Sequence, residues 1–245
     1  MVKRLRYAGF AEEAEYGTAA ASADFHVDIN SATLDTPTDS ELIYQGGIGR
    51  STKVKRPGYY SPAGNIVYGI DINTIISFLK WALGSYAFTA GTPNKHEFWG
   101  SDKSILDSFT AFIGKDVFEH QFAGCVINSL ELVVEDGFAT LTVAVNAAKD
   151  AKGSLKDVED LILTEAYPIA FHQVTASIGT AQDNDVSAEV KSVTLSINNN
   201  TDVAAGRGIG SRHPQRIPVN ERETTFSMNL WFEDTAQLER FWGSA

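Results

Sequence analysis

Two glycine-rich segments are the first places at which this sequence could bind a phosphate group. Residues 46–52 are similar to a phosphate-binding loop, but Tyr44 stands where that pattern has its first glycine and Arg50 where it has its lysine. His213-Pro214 follows the second segment, residues 206–210, in place of the helix that a dinucleotide site requires. Both segments therefore favour loops over nucleotide sites, and we predict no cofactor.

Metal ligands and nucleophiles are scattered along the chain. The five histidines are too far apart for a zinc motif, and residues 183–185 with Glu189 lack the glycine and the spacing of a calcium loop. No Gly-x-Ser-x-Gly elbow occurs. The single cysteine, Cys125, lies in an apolar run and is predicted to be a small buried hydrophobe. We therefore predict no catalytic residue and no metal site.

Composition and charge narrow the class of protein. The 245 residues are 43% hydrophobic and 21% charged, which is typical of a globular domain with its own core. A net charge of −11 predicts a surface that repels nucleic acid. Residues 1–6 are basic but precede no apolar run of the signal-peptide type, and no apolar stretch is long enough to span a bilayer. We expect a soluble protein made in the cytoplasm, with no membrane partner.

The hydrophobic pattern indicates strands around one clear helix. Residues 72–84 have apolar side chains at helical spacing, with Asp71 or Asn73 as the N-cap and Gly84 as the stop. A second, short helix is expected over residues 233–242, capped by Asp234. Alternating polarity predicts three strand pairs, one within residues 126–146 around an Asp-Gly turn, one between 192–197 and 225–232, and one between 24–34 and 65–71.

Two long connections, residues 35–64 and 198–220, separate these strands. Connections of that length are usually functional or disordered. The first contains residues 50–56, with four positive charges and no negative one. On an acidic molecule such a run is either a solvated loop or an arm that docks on an acidic patch of a neighbour. The side chains that we predict to act in assembly are Arg50, Lys53, Lys55, Arg56, Arg207 and Arg212.

Three segments together carry a family resemblance. Residues 12–18 read Glu-Glu-Ala-Glu-Tyr-Gly-Thr, residues 124–132 fit G-x-x-(I/V)-N-S-(L/I)-x-(L/I), and residues 190–199 fit V-x-S-(V/F)-x-L-x-I-N-N. In this order and with a long polar loop after the third, they resemble the major tail tube proteins of long-tailed phages.

The resemblance implies a mainly β fold, a tail-tube-type β-sandwich or barrel with one flanking α-helix, in one domain over residues 1–245. It implies hexameric rings that stack into a hollow tube, with an N-terminal arm (residues 1–22) and the long loops joining ring to ring. The implied partners are further copies of the chain, a tape-measure protein and DNA in the lumen, and terminator and tail tip proteins. Contractile and non-contractile tails have tubes of similar fold, so the resemblance does not distinguish between these two kinds of tail.

Polar strand faces are the candidates for the wall of such a channel. These faces would line either the lumen or the outer surface, and the candidate lumen residues are Glu131, Glu135, Glu223, Thr225 and Asn229. An acidic lumen would not trap DNA, because it offers no cations to neutralise phosphates.

Other classes of function stay open on the residues alone. A tail terminator or head decoration protein would form a single ring or a lattice-bound trimer. A β-sandwich carbohydrate-binding module would need a concave aromatic or calcium-dependent site, whereas the four tryptophans are scattered in sequence. An enzyme on a jelly-roll scaffold would need clustered histidines and carboxylates, and the sequence spacing shows none.

Overall fold

The computed structural model describes residues 7–37, 41–44, 54–178, 184–185, 187, 189–231, 235, 239 and 242. The α-helix α1 (Thr74–Leu83) packs on the core, and within the described residues two 3-10 turns span Val158–Asp160 and Phe171–Gln173. The remaining elements are the strands β1 (Tyr7–Glu12), β2 (Phe25–Ala32), β3 (Glu41–Tyr44), β4 (Val54–Pro57), β5 (Ala63–Gly69), β6 (Gly84–Thr89), β7 (Lys95–Gly100), β8 (Phe109–Lys115), β9 (Phe118–Val134), β10 (Thr140–Asn146), β11 (Lys149–Gly153), β12 (Ser177–Ile178), β13 (Asn184–Asp185), β14 (Val190–Asn198) and β15 (Glu223–Leu230). No helix in the described part of the chain is long and apolar enough to cross a membrane.

Six antiparallel strands close into a barrel in the order β1, β2, β5, β10, β9, β8. The long strand β9 serves two sheets, because its first half pairs with β8 and β11 and its second half with β10 and β14. Gly124 lies close to this change of partner, with a φ of 66°. A Cβ there would lie 2.7 Å from the Cβ of Ala148, so both the backbone conformation and the space require glycine.

Helix α1 covers the barrel core with aromatic side chains. Phe78 meets Phe10 edge-on with ring centroids 4.9 Å apart, and Trp81 stacks on Phe109 at 4.5 Å. The carboxylate of Asp71 accepts the N–H hydrogen bonds at the start of the helix, and Asn73 makes no side-chain cap. The prediction of a helix over 72–84 is thus confirmed to within two residues at each end, and Gly84 ends it in the left-handed conformation.

All three predicted strand pairs are present, as β9 with β10, β14 with β15, and β2 with β5. Within the predicted N-terminal arm over residues 1–22, residues 7–12 form the barrel strand β1 between β2 and β8, and a role of the arm in joining rings stays a prediction. Tyr7, Ala8 and Phe10 are completely buried, so an apolar segment before the acidic residues belongs to the core. Residues 1–6 and nearly all of the predicted helix over 233–242, including Asp234, lie outside the described residues.

The predicted long loops contain more structure than a sequence pattern indicated. Within residues 35–64, β3 and β4 pair as an antiparallel hairpin, which we call the basic hairpin. Residues 199–222 carry no regular strand but are packed in place, with Ile217 fully buried against Leu106 and Val126. The order of this second loop therefore comes from contacts within the chain.

Residues 154–170, which we call the strap, run along one end of β2, β5 and β10. The N–H of His26 donates to the carbonyl of Ile162 at 2.8 Å, and the N–H of Ile162 donates to Nδ1 of His26 at 3.0 Å. Further along, the N–H of Ile169 donates to the carbonyl of Ile70. The strap thus supplies backbone partners to β2 beyond the stretch that pairs with β5.

Candidate assembly surfaces

One carboxylate, that of Glu13, fastens the acidic N-terminal segment to the barrel. Its Oε1 accepts hydrogen bonds from the hydroxyl of Thr110 and the N–H of Gly124, both at 2.8 Å. Its Oε2 accepts from the hydroxyl of Ser108 at 2.7 Å and the N–H of Gly17 at 2.9 Å. Four donors fill the acceptor positions of a single carboxylate. Two of the three family-like segments, residues 12–18 and 124–132, are therefore in direct contact.

The side chain of Asn199, the last residue of the third family-like segment, holds the loop of residues 199–222 against α1. Asn199 is 1% exposed and donates from Nδ2 to the carbonyls of Ala82 and Ile127, at 3.0 and 3.1 Å. Its Oδ1 accepts from Nε of Arg222 at 3.0 Å, and Arg222 also donates to the carbonyl of Leu83. A cation at the last carbonyls of a helix is favourable because the helix dipole is negative there.

Three of the six predicted assembly residues, two from the first loop and one from the second, lie together. Lys55, Arg56 and Arg212 line a cavity of about 360 Å³ beside the basic hairpin. Arg212 donates to the carbonyl of Gly58 at 3.0 Å and lies over the ring of Tyr60.

Arg207 lies over the ring of Tyr59, with its guanidinium carbon 4.0 Å from the ring centroid. Arg207 and Arg212 thus make contacts within the chain, although the sequence predicted that both would act in contacts with a neighbouring subunit. Two further predicted residues, Arg50 and Lys53, lie outside the described residues.

A polar network around Asp150 holds the root of the basic hairpin. Nε2 of His120 lies 3.0 Å from its Oδ2, and the hydroxyls of Thr36 and Tyr60 donate to it at 2.8 and 3.3 Å. Burial alone would raise the pKa of Asp150, but the hydrogen bonds from His120, Thr36 and Tyr60 outweigh it, and the pKa is lowered. Residues on both sides of the hairpin, Thr36 before it and Tyr60 after it, are fixed by one carboxylate.

Four predicted lumen residues share one face of the sheet that contains β9, β14 and β15. Glu131 lies directly opposite Ser196, and Ser196 lies opposite Thr225. Opposed residues in antiparallel strands point to the same face, and residues two apart do as well. The shared polar face therefore carries Glu131, Glu223, Thr225 and Asn229. Glu135 follows the last residue of β9 and is exposed.

The opposite face of the same strands is apolar, and it is incompletely covered. Phe226 lies opposite Leu195, which lies opposite Leu132. Leu132 and Leu195 are half-buried, and Phe226 is 62% exposed. Within the described residues β15 pairs with β14 alone, so its outer edge is open. We call β14 and β15 together the ribbon.

The chain matches the family model of the phage tail tube protein over residues 3–242, nearly its whole length. The chain belongs to the phage tail tube protein family. No curated protein matches the chain. As a tail tube protein it is a structural component of the virion tail, which agrees with a molecule whose polar contacts fasten loops to a barrel.

The metal-ligating and nucleophilic side chains of the described residues can be placed individually. Within the described ranges, no group of three or more His, Cys, Asp or Glu side chains could hold a metal ion. Cys125 is fully buried and donates to the carbonyl of Phe122, and burial raises the pKa of its thiol. The prediction that Cys125 is a buried hydrophobe is confirmed. His120 contacts the carboxylate of Asp150 and so belongs to the polar network at the root of the basic hairpin.

Proposed function

We propose that this tail tube protein polymerises as stacked hexameric rings into a hollow tube through which viral DNA passes to the host. The observation that carries the proposal is the ribbon, which exposes both an edge and an apolar face. An open strand edge is a template for pairing with another chain, and soluble proteins normally cover or interrupt it. Pairing between subunits around a closed ring would remove every such edge.

The apolar face of the ribbon supports the same assembly. Phe226 projects from β15 on the side that faces the barrel core, yet most of its surface meets solvent. An exposed apolar strip beside an open edge is typical of a surface that a partner covers. A neighbouring copy of the chain would bury both features in one contact.

The polar face of the ribbon suits the wall of the channel. The charged side chains at the paired positions of this face, Glu131 and Glu223, are both acidic. Such a wall would repel DNA phosphates weakly and bind no particular sequence, so the genome could slide. A tape-measure protein would occupy the same lumen before DNA, and terminator and tip proteins would bind the two ends of the tube.

Negative-stain electron microscopy of the purified protein across a concentration series tests the proposal. We expect six-fold rings at low concentration and hollow tubes at high concentration. Single rings that never stack would support a tail terminator instead. Uniform small particles at every concentration would contradict the proposal, and glycan binding would then be the next measurement.

A further inference from the structure

The strap covers a part of strand β2 that β5 does not reach. Residues 25–28 of β2 pair with β1 on one side, whereas the pairing with β5 begins only at Ile29. At His26 the strap takes the place of β5, because the N–H of His26 donates to the carbonyl of Ile162 and His26 forms a parallel bridge with Leu163. An open strand edge is a template for pairing with another chain. The strap therefore closes an edge of the barrel at this point.

The side chain of His26 makes a second hydrogen bond to the same residue of the strap. Its Nδ1 accepts from the N–H of Ile162 at 3.0 Å. An imidazole nitrogen accepts a hydrogen bond only while it carries no proton, so this bond requires a neutral ring with its proton on Nε2. Nε2 is buried and has no hydrogen-bond partner within the described residues. The closed strap thus selects one protonation state of His26.

The surroundings of His26 oppose a positive charge on the ring. The residue is 1% exposed, and its ring meets that of Tyr7 edge-on with centroids 5.5 Å apart. The ring also packs on Gly9, where an added Cβ would lie 2.9 Å from Nε2. Burial lowers the pKa of His26 below its ordinary value of 6.5, and the positive charge of Lys156 lowers it further. The carboxylate of Glu119 acts in the opposite direction and is the weakest of the three influences.

Two further carboxylates lie in the groove beside the strap. Asp28 on β2 and Glu165 on the strap line this groove of about 460 Å³ together with His26. Both carboxylates are exposed, so water screens their attraction for a charged imidazole. They are the groups from which an effect of His26 has to be distinguished by experiment.

We infer that His26 is a proton-sensitive latch, which holds the strap on β2 at neutral pH and releases it on acidification. A second proton would sit on Nδ1 and point at the N–H of Ile162, so two donors would face each other and the hydrogen bond would be lost. The charged ring gains hydration when the strap opens. Opening leaves the edge of β2 at His26 free to pair with another chain. The latch closes within one chain, so the inference does not depend on the proposed assembly of rings.

The strap is held at both ends by groups other than His26. Near its beginning, the N–H of Lys156 donates to the hydroxyl of Tyr7 at 3.1 Å. Near its end, the N–H of Ile169 donates to the carbonyl of Ile70 at 2.9 Å. The centre between them exposes the apolar side chains of Val158, Ile162 and Leu163. We therefore expect a local opening of residues 157–168 with the barrel intact.

The direction of the pH dependence follows from the lowered pKa. Because the pKa of His26 in the closed form lies below its ordinary value of 6.5, the open form takes up the proton first. The closed strap is fully favoured above pH 6.5 and loses this advantage as the pH falls toward the lower pKa of the closed form. Uptake of one proton limits the rise in the open population to about tenfold per pH unit.

Amide hydrogen exchange followed by mass spectrometry measures this opening. Peptides over residues 154–170 report on the strap, and peptides over residues 140–146 report on β10, which is paired on both edges. Labelling times are adjusted for the intrinsic pH dependence of exchange. From about pH 7.5 to about pH 5 we expect the protection of the strap to fall about tenfold relative to that of β10. An unchanged ratio of the two protections would overturn the inference.

His26→Asn separates the histidine from the carboxylates beside it. The side-chain oxygen of asparagine can accept from the N–H of Ile162 as Nδ1 does, but it takes up no proton in this range. We expect the strap of His26→Asn to be equally protected at both pH values. His172→Asn, at an exposed histidine, is the matched control and should keep the fall of the parent protein. An equal fall in His26→Asn would show that other groups release the strap.

The tautomer of His26 gives a test that needs no substitution. Nitrogen NMR chemical shifts of the imidazole in the parent protein distinguish a protonated from an unprotonated ring nitrogen. At about pH 7.5 we expect Nδ1 of His26 to be unprotonated and Nε2 to carry the proton. A proton on Nδ1 at this pH would overturn the inference, even if His26→Asn failed to fold.

Discussion

The barrel and the ribbon use the same alternating sequence pattern for opposite purposes. In the barrel, β10 pairs on both edges, and its inward side chains Leu141 and Val143 are completely buried. In the ribbon, β15 pairs on one edge, and Phe226 on its apolar side is mostly exposed. Strand β9 joins the two and contributes its second half to both. The barrel therefore contains the buried core of the monomer, whereas the apolar face of the ribbon is the surface that the proposed assembly would bury against a neighbour.

The largest effect on monomer stability is expected inside the barrel. Phe109→Ala should lower the free energy of unfolding by about 3–5 kcal/mol, because the fully buried ring stacks on Trp81 and leaves a cavity. Urea denaturation followed by tryptophan fluorescence measures the change. Val117→Ala, at a side chain that is 86% exposed, is the control and should cost less than about 0.5 kcal/mol. Similar losses in both variants would mean that the barrel is not the stability core.

A smaller loss is expected at the junction between the barrel and the ribbon. Asn199→Ala should lower the free energy of unfolding by about 2–3 kcal/mol, because it leaves the buried carbonyls of Ala82 and Ile127 without their donor. The same denaturation measurement applies. Asn229→Ala, which removes one exposed hydrogen bond to Ser192, is the matched control. An unchanged midpoint for Asn199→Ala would show that the other contacts of the loop, such as those of Arg222 and the buried Ile217, are sufficient to hold it.

Sequence patterns predicted the elements whose burial is regular and missed those that depend on distant contacts. Helix α1 and the hairpin of β9 and β10 were predictable because apolar spacing and an Asp-Gly turn mark them locally. The strap was not predicted, because its order comes from backbone bonds to His26 and Ile70, far away in sequence. Only a short apolar run, Tyr7 to Ala11, could have identified β1 as a core strand.

In the candidate assembly surfaces, too, residues marked by a local pattern were predicted, and contacts between distant residues were not. Alternation correctly grouped Glu131, Glu223 and Thr225 as members of polar strand faces, because a period of two is local. It could not indicate that Arg207 and Arg212 lie over Tyr59 and Tyr60, since those contacts join loops about 150 residues apart. The acidic strap gave no motif either, because its charges are spread over an irregular segment.

At Asp150, in the root of the basic hairpin, we expect an effect on stability that is intermediate in size and depends on pH. Asp150→Asn should lower the free energy of unfolding by about 1–2 kcal/mol at pH 7 through weaker bonds to His120 and Thr36. The folded pKa of Asp150 lies below its ordinary value of 3.8, so the unfolded chain binds the proton first. The advantage of the parent protein is therefore fully present above the ordinary carboxyl pKa and is lost as pH falls through the lower folded pKa.

Thermal unfolding between pH 7 and pH 3 checks this sign. The parent protein and Asp150→Asn should converge as the pH decreases. Asp107→Asn, which removes an exposed ion pair with Lys103, should differ little from the parent at any pH. A difference between parent and Asp150→Asn that grows on acidification would contradict the assigned direction.

The smallest effect on the monomer, with the largest expected effect on assembly, belongs to Phe226 in the ribbon. Phe226→Thr keeps a residue that favours strands and removes a ring that is 62% exposed, so it should cost the monomer less than about 1 kcal/mol. If a neighbour covers the apolar face, the same substitution should prevent rings and tubes at concentrations where the parent assembles. Thr225→Ser, on the polar face of the same strand, should leave both folding and assembly unchanged.

Electron microscopy and urea denaturation of one preparation separate the effect on assembly from the effect on monomer stability. Normal tubes from Phe226→Thr would show that the apolar face of the ribbon is not a subunit contact, and a loss of stability as large as that of Phe109→Ala would show that the ribbon is part of the core.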